Sequence, residues 1–301
     1  MILNQGLSYL NTFAIKTHIM RLIKIKLSIL WVLVLLFFAS CSNNKYDQSE
    51  EGMRIISLVP SFTKDIERLG MKDHIVGATS YCDISKENKD LIVGSVIDVN
   101  EEKIMLLKPD VVFASGLVNE RSIKILEQNG INVNYIDNNS SFKGLCEQFI
   151  QIGKVIGKEA YAKQLVQQAI FSIDSLKALV PQKEEKLKVF FQLGANPIAV
   201  VIPNTFMNDY ITFAGCTNIF NDLDKIIVNR ESVLLRNPDC IIMSAMGIVG
   251  EQEKEIWAGF KDLSAVKNNK VFVVESASLP TVYDFVDNLA FIINQIYDHK
   301  K

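Results

Sequence analysis

Three side chains with ligand chemistry stand together at Tyr81-Cys82-Asp83. A phenolate and a thiolate can each ligate iron or cobalt, and a carboxylate adds charge. Three neighbours in one strand or turn rarely converge on a single ion, so the plainer reading is a loop with one aromatic contact. Two glutamates, Glu102 and Glu231, form a second pair near the starts of two short helical stretches. As helix-end carboxylates they would only steady those helices. As acidic tips on two bodies they could engage paired arginines of a partner. Beyond residue 40 the only histidines are His74 and His299. That argues against a several-histidine zinc or manganese site, and no direct metal site is expected. No GxSxG, HExxH, GxxxxGK[ST] or GxGxxG stretch occurs, and Asp209, Asp222 and Asp224 offer no acid/base pairing. No catalytic residue is assigned, and the chain is not expected to be an enzyme. Trp257, Tyr283 and Phe285 could line a cleft, but aromatics so spaced more often fill a core.

Short apolar strands carry these residues to one edge. Arg54–Leu58 ends at Pro60-Ser61, Ile75–Ala78 ends at Thr79–Asp83, and Val111–Ala114 ends at Ser115-Gly116. Helices are expected at 64–69, 121–129 and 141–156. Continuous apolar strands alternating with helices indicate a parallel sheet covered on both faces. Ligands of such sheets bind beyond the carboxyl ends of the strands. That makes Ser61, Tyr81, Cys82, Asp83, Ser115 and Gly116 candidate ligand contacts. Val189–Leu193 begins a second such block and stops at Gly194-Ala195-Asn196-Pro197, which adds Asn196. A helix is expected at 206–214.

Between the blocks, Ala162, Leu165, Val166, Ala169, Ile170, Ile173, Leu176 and Val180 recur in steps of three and four. They predict one long helix over 158–180, a spine joining two α/β lobes. The blocks also resemble each other. Val99-Asn100-Glu101-Glu102 through Lys108-Pro109-Asp110 to Ser115 aligns without gaps on Val228-Asn229-Arg230-Glu231 through Asn237-Pro238-Asp239 to Ser244, at a constant offset of 129 residues. Asparagine caps a helix, glutamate meets its positive end, and Pro-Asp turns the chain into a core strand. The two lobes are therefore expected to share one topology, with Glu102 and Glu231 in equivalent places.

The 301 residues are 49% hydrophobic, enough for two cores. Residues 1–40 hold four basic and no acidic residues, so the remainder has 28 basic against 34 acidic, a net −6. A mildly acidic chain without a basic patch argues against nucleic acid. Residues 27–40 form a short apolar run after Arg21, Lys24 and Lys26, the pattern of a secretory signal. Phe38-Ala39-Ser40-Cys41 looks like a bacterial lipobox, which implies cleavage before Cys41 and a lipid on its sulfur. A start at Met20 would give a signal of more typical length. Residues 41–52 read as a polar tether. The expected plan is a signal at 1–40, a lipidated tether at 41–52, one lobe at 53–157, the spine at 158–180 and a second lobe at 181–301. Cys146 and Cys240 lie in apolar text and are expected to be buried thiols.

From Arg54 to about Tyr297 the chain resembles the periplasmic substrate-binding proteins of iron-siderophore, haem and cobalamin ABC importers. The motifs that carry the likeness are RIISLVPS (54–61), GATSYCD (77–83), VNEEKIMLLKPDVVFA (99–114), VFFQLGANP (189–197), GCTNIF (215–220) and VNRESVLLRNPDCII (228–242). Within the family it looks closest to the cobalamin-binding members. The resemblance implies two Rossmann-like lobes joined by one backbone helix, the class III plan of helical-backbone metal receptors. It implies a metal chelate, a corrinoid or an iron complex, gripped between the lobes, with no cofactor. It implies a monomer in the cell envelope, held to a membrane through its lipid anchor only. Its partners would be an ABC permease dimer and its ATPase, with Glu102 and Glu231 meeting permease arginines. Tyr81 matches a tyrosine that packs on the corrin, and Ser276, Ala277, Ser278, Leu279 and Pro280 fall where the family has a ligand-contacting loop. Val96 stands where the cobalamin binder has a tryptophan, and Tyr283-Asp284 where the family often has Pro-Arg, so the ligand surface differs. The alternative is an enzyme or metallocluster scaffold on the same bilobed fold.

Overall fold

The computed structural model describes residues 52–137, 139–182, 184–244, 249–274 and 280–297. The expected signal, Cys41 and most of the expected tether lie outside them. The first lobe runs β1 (Ile55–Ser57), α1 (Pro60–Arg68), β2 (Ile75–Ala78), α2 (Asp83–Glu87), α3 (Glu101–Leu106), β3 (Val111–Ala114), α4 (Glu120–Gln128), β4 (Val133–Tyr135) and α5 (Phe142–Val155). Its four described strands are all parallel, in the order β2-β1-β3-β4. Then comes α6 (Glu159–Ala178), two residues inside the expected end of the spine.

The second lobe continues with β5 (Lys188–Ala195), β6 (Ile198–Val200), α7 (Phe206–Phe213), β7 (Thr217–Asn218), β8 (Ile227–Val228) and α8 (Arg230–Arg236). It ends with β9 (Cys240–Ser244), α9 (Val249–Ala258), α10 (Ser264–Lys267), β10 (Val271–Val274) and α11 (Val282–Tyr297). Its parallel core, β7-β5-β9-β10, follows the plan of β2-β1-β3-β4. The sheet is mixed, because β6 turns back antiparallel on β5 and β8 pairs with β6.

The repeat holds atom by atom. Asn100 Oδ1 accepts the Lys103 N–H at 2.8 Å, and Asn229 Oδ1 accepts the Ser232 N–H at 2.9 Å. Each cap is worth about 1 kcal/mol. Lys108 and Asn237, again 129 apart, both adopt left-handed backbone, with φ of 45° and 42°. Asp110 then accepts the Arg54 N–H at 2.6 Å, and Asp239 accepts the Lys188 N–H at 2.8 Å. Each clasp closes the Pro-Asp turn onto the first residue of its lobe's central strand or the one before it. A bond to a charged acceptor of this kind contributes about 1.5–3 kcal/mol.

Helix α6 buries Ala162, Leu165, Val166, Ala169 and Ile173 against α5 and α11. Ile170, expected on that face, is exposed, because only one narrow stripe of the helix is covered. The helix is one strut among several. Phe142 at the start of α5 packs its ring on Phe213 and Phe285 of the second lobe. The Phe142 N–H donates to Asp209 Oδ2 at 2.7 Å. Lys64 on α1 lies 3.5 Å from Asp284 on α11, and the Arg68 guanidinium sits 3.9 Å over the Tyr283 ring. One buried apolar cluster runs from β1 through α5, α6 and α11 to β5. The described residues therefore form a single compact unit.

Candidate functional site

The carboxyl ends of β1, β2 and β3 lie side by side with β1 in the middle, so sheet order places Tyr81 and Gly116 on either side of Ser61. A hydroxyl–thiol cluster fixes this edge. Thr63 Oγ1, in the first turn of α1, donates to Ser57 Oγ at 2.8 Å and also lies 3.1 Å from the Val59 carbonyl. Cys82 Sγ lies 3.1 Å from Thr63 Oγ1 and 3.3 Å from Thr79 Oγ1. The Cys82 N–H donates to the Thr79 carbonyl at 3.1 Å, which closes the turn. Cys82 is drawn inward, while its neighbour Tyr81 is 67% exposed.

Cys82 is thus a correction. It is buried under the turn and presents no sulfur to a ligand. Its part is to close the turn that follows β2. Ser115 is a second correction, since it is buried and its hydroxyl receives the Leu117 N–H at 3.5 Å. Gly116 beside it is exposed, and Ser61 is half-buried at the start of α1. Asp83 is exposed, but Lys86 holds it at 2.6 Å and that hydrogen bond draws its carboxyl below the usual range. Asn196 is exposed at the tip of the β5–β6 hairpin. Ser276, Ala277, Ser278 and Leu279 lie outside the described residues. Pro280 is buried just before α11, where Thr281 and Asp284 cap the helix reciprocally at 3.1 Å each way.

Trp257 and Phe285 are core residues, fully buried, so they do not line a cleft. Tyr283 is half-buried and donates to the Leu165 carbonyl at 3.1 Å. Cys146 and Cys240 are buried as expected, and burial pushes the Cys146 thiol up to about 12. Among the described residues no three of His, Cys, Asp and Glu converge as a metal site, and no helix is long and apolar enough to cross a membrane.

Glu102 and Glu231 are both exposed on the first turns of α3 and α8, and neither makes an ion pair among the described residues. Behind α8 lies a network the sequence did not reveal. Arg230 Nη2 meets Glu253 at 3.1 Å, Glu253 accepts from Gln192 Nε2 at 3.0 Å, and Trp257 Nε1 donates to Gln192 Oε1 at 2.7 Å. The Arg230 guanidinium also lies 4.4 Å over the Trp257 ring. The available signal was a reversal of sign, because Arg230 stands where the first lobe has Glu101.

A family model described as "Periplasmic binding protein" matches residues 55–277. YvrC of Bacillus subtilis, an uncharacterized ABC transporter substrate-binding lipoprotein, is 30% identical over 83% of this chain and 82% of its own. A vitamin B12-binding protein of Vibrio campbellii is 27% identical over 74% of this chain and 81% of its own. A crystal structure of a possible iron-binding periplasmic solute-binding protein from Staphylococcus epidermidis superposes with a TM-score of 0.70, at 28% identity, over 81% of this chain and 98% of that one. All three are named as binding proteins, the Bacillus one as part of an ABC transporter. The match over residues 55–277, on two lobes of repeated topology, places the chain in the periplasmic binding protein family.

Proposed function

We propose that this chain is the lipid-anchored substrate-binding component of an ABC importer. It captures a metal chelate, a corrinoid or an iron complex, at the carboxyl edges of its two sheets and delivers it to the permease. The observation that carries the reading is the pair of Asn-capped helices, α3 and α8, that hold exposed Glu102 and Glu231 at equivalent places in the two lobes. Two like acidic tips match a partner that is itself a dimer and presents an arginine twice. Tyr81 supports the ligand class, since an exposed aromatic face beside a buried turn suits a flat macrocycle. Lipid anchoring at Cys41 accords with the lipoprotein nature of the Bacillus relative.

Calorimetry of the purified chain against cyanocobalamin, haemin and ferric siderophores tests it. One of the three is expected to bind at a single site with micromolar or tighter affinity. No heat from any of them would count against chelate capture.

A further inference from the structure

We propose that the chain docks on its permease through two matched apolar contacts as well as two charges, with Leu106 and Leu235 each seating in a recess beside the cation that meets Glu102 or Glu231. Leu106 and Leu235 are the two most exposed large apolar side chains among the described residues, at 81% and 87%. They are also 129 residues apart, the offset of the internal repeat. Each lies four residues after its glutamate, so leucine and glutamate share one side of their helix. The opposite side is anchored, because Ile104 and Val233 are fully buried.

A single exposed leucine needs no explanation. Two at the same place in both halves of a repeat are another matter, because the repeat does not force likeness there. The very next residues diverge, with Leu107 packed on the first-lobe core and Arg236 paired to Asp222 at 2.8 Å. Ile97 and Ile226, also 129 apart, are both exposed in the segments that lead into α3 and α8.

Charge decides the occupant. An anionic lipid surface would repel the glutamates beside the leucines, and a second copy of this chain would set glutamate against glutamate. A dimeric partner that offers a cation and an apolar recess twice satisfies both lobes at once. The inference rests on the docking reading above and adds what gives the contact its salt-resistant part, since exposed charge pairs are screened by salt and apolar burial is not.

The test is the affinity of the full, chelate-free chain for the purified permease–ATPase complex in nanodiscs, at low and high salt. Leu106→Ala and Leu235→Ala are each expected to weaken binding roughly ten-fold, about 1.4 kcal/mol, and by similar factors. The double variant is expected to lose roughly a hundred-fold and to keep little binding at high salt. Both leucines are surface residues, so the melting temperature should stay at the wild-type value. If the leucine variants bind like wild type while Glu102→Arg with Glu231→Arg does not bind, the apolar contacts are refuted and charge docking stands. If the glutamate variant also binds like wild type, the docking reading itself falls.

Discussion

Tyr81 was legible as a single outward aromatic, and Cys82 was not legible as the buried thiol that closes the turn. Adjacent residues in a turn alternate in direction only as their local hydrogen bonds dictate. Here two threonine hydroxyls, from the first turn of α1 and the end of β2, draw the thiol inward. No spacing rule joins Thr63 to Cys82. Tyr81→Ala is expected to weaken chelate binding roughly ten-fold, about 1.4 kcal/mol, with the melting temperature unchanged. Calorimetry with thermal unfolding checks it. Cys82 in the native protein is expected to resist alkylation that it accepts in denaturant, as mass spectrometry would register. Rapid native labelling would mean that the thiol faces the ligand after all.

At the scale of elements, the repeat was the most readable feature. Its caps and Asp clasps are local, and local chemistry is what sequence carries best. The β6–β8 addition was invisible, because three apolar residues directly after Asn196-Pro197 carry no period by which to judge direction. The apolar spacing predicts helix α6 to within two residues at each end but puts the exposed Ile170 on the buried face. No sequence pattern reveals the Arg230–Glu253 pair, because its network spans β5, α8 and α9, far apart in sequence. Its energetics give a test. Glu253 is buried, and without Arg230 its charge would stand uncompensated. Arg230→Met is expected to cost about 3–5 kcal/mol, and Arg230→Met with Glu253→Met to recover much of that. Denaturant unfolding of both variants distinguishes a buried pair from a surface one. Equal stabilities for Arg230→Met and wild type would exclude the former.

For the whole molecule, two sheets of like topology stand as expected, and the packing between the halves is the addition. No single helix bears the joint. Phe142, Phe213 and Phe285 close it with Tyr283, Arg68 and the Lys64–Asp284 pair. Beneath that joint Asp65 is buried, and burial raises its carboxyl well above the usual range. Asp284 raises it further, against the hydrogen bond from Gln148 and the charge of Lys64. A raised acid binds its proton more tightly in the folded state. Its contribution is full below the ordinary carboxylate range and is lost as pH climbs through the folded value. Asp65→Asn is therefore expected to come closest to wild type near pH 3 and to melt higher than wild type at pH 7. A variant that melts lower at pH 7 would show that the charged form is held by favourable contacts.

The central claim is that two equivalent tips hand a captured chelate to a dimeric transporter. The most direct measurement is uptake of the chelate by cells that carry Glu102→Arg with Glu231→Arg, set beside the affinity of the same variant for that chelate. Uptake should fall to the level of cells lacking the protein, while affinity stays within about two-fold of wild type. Uptake at the wild-type rate would contradict the account.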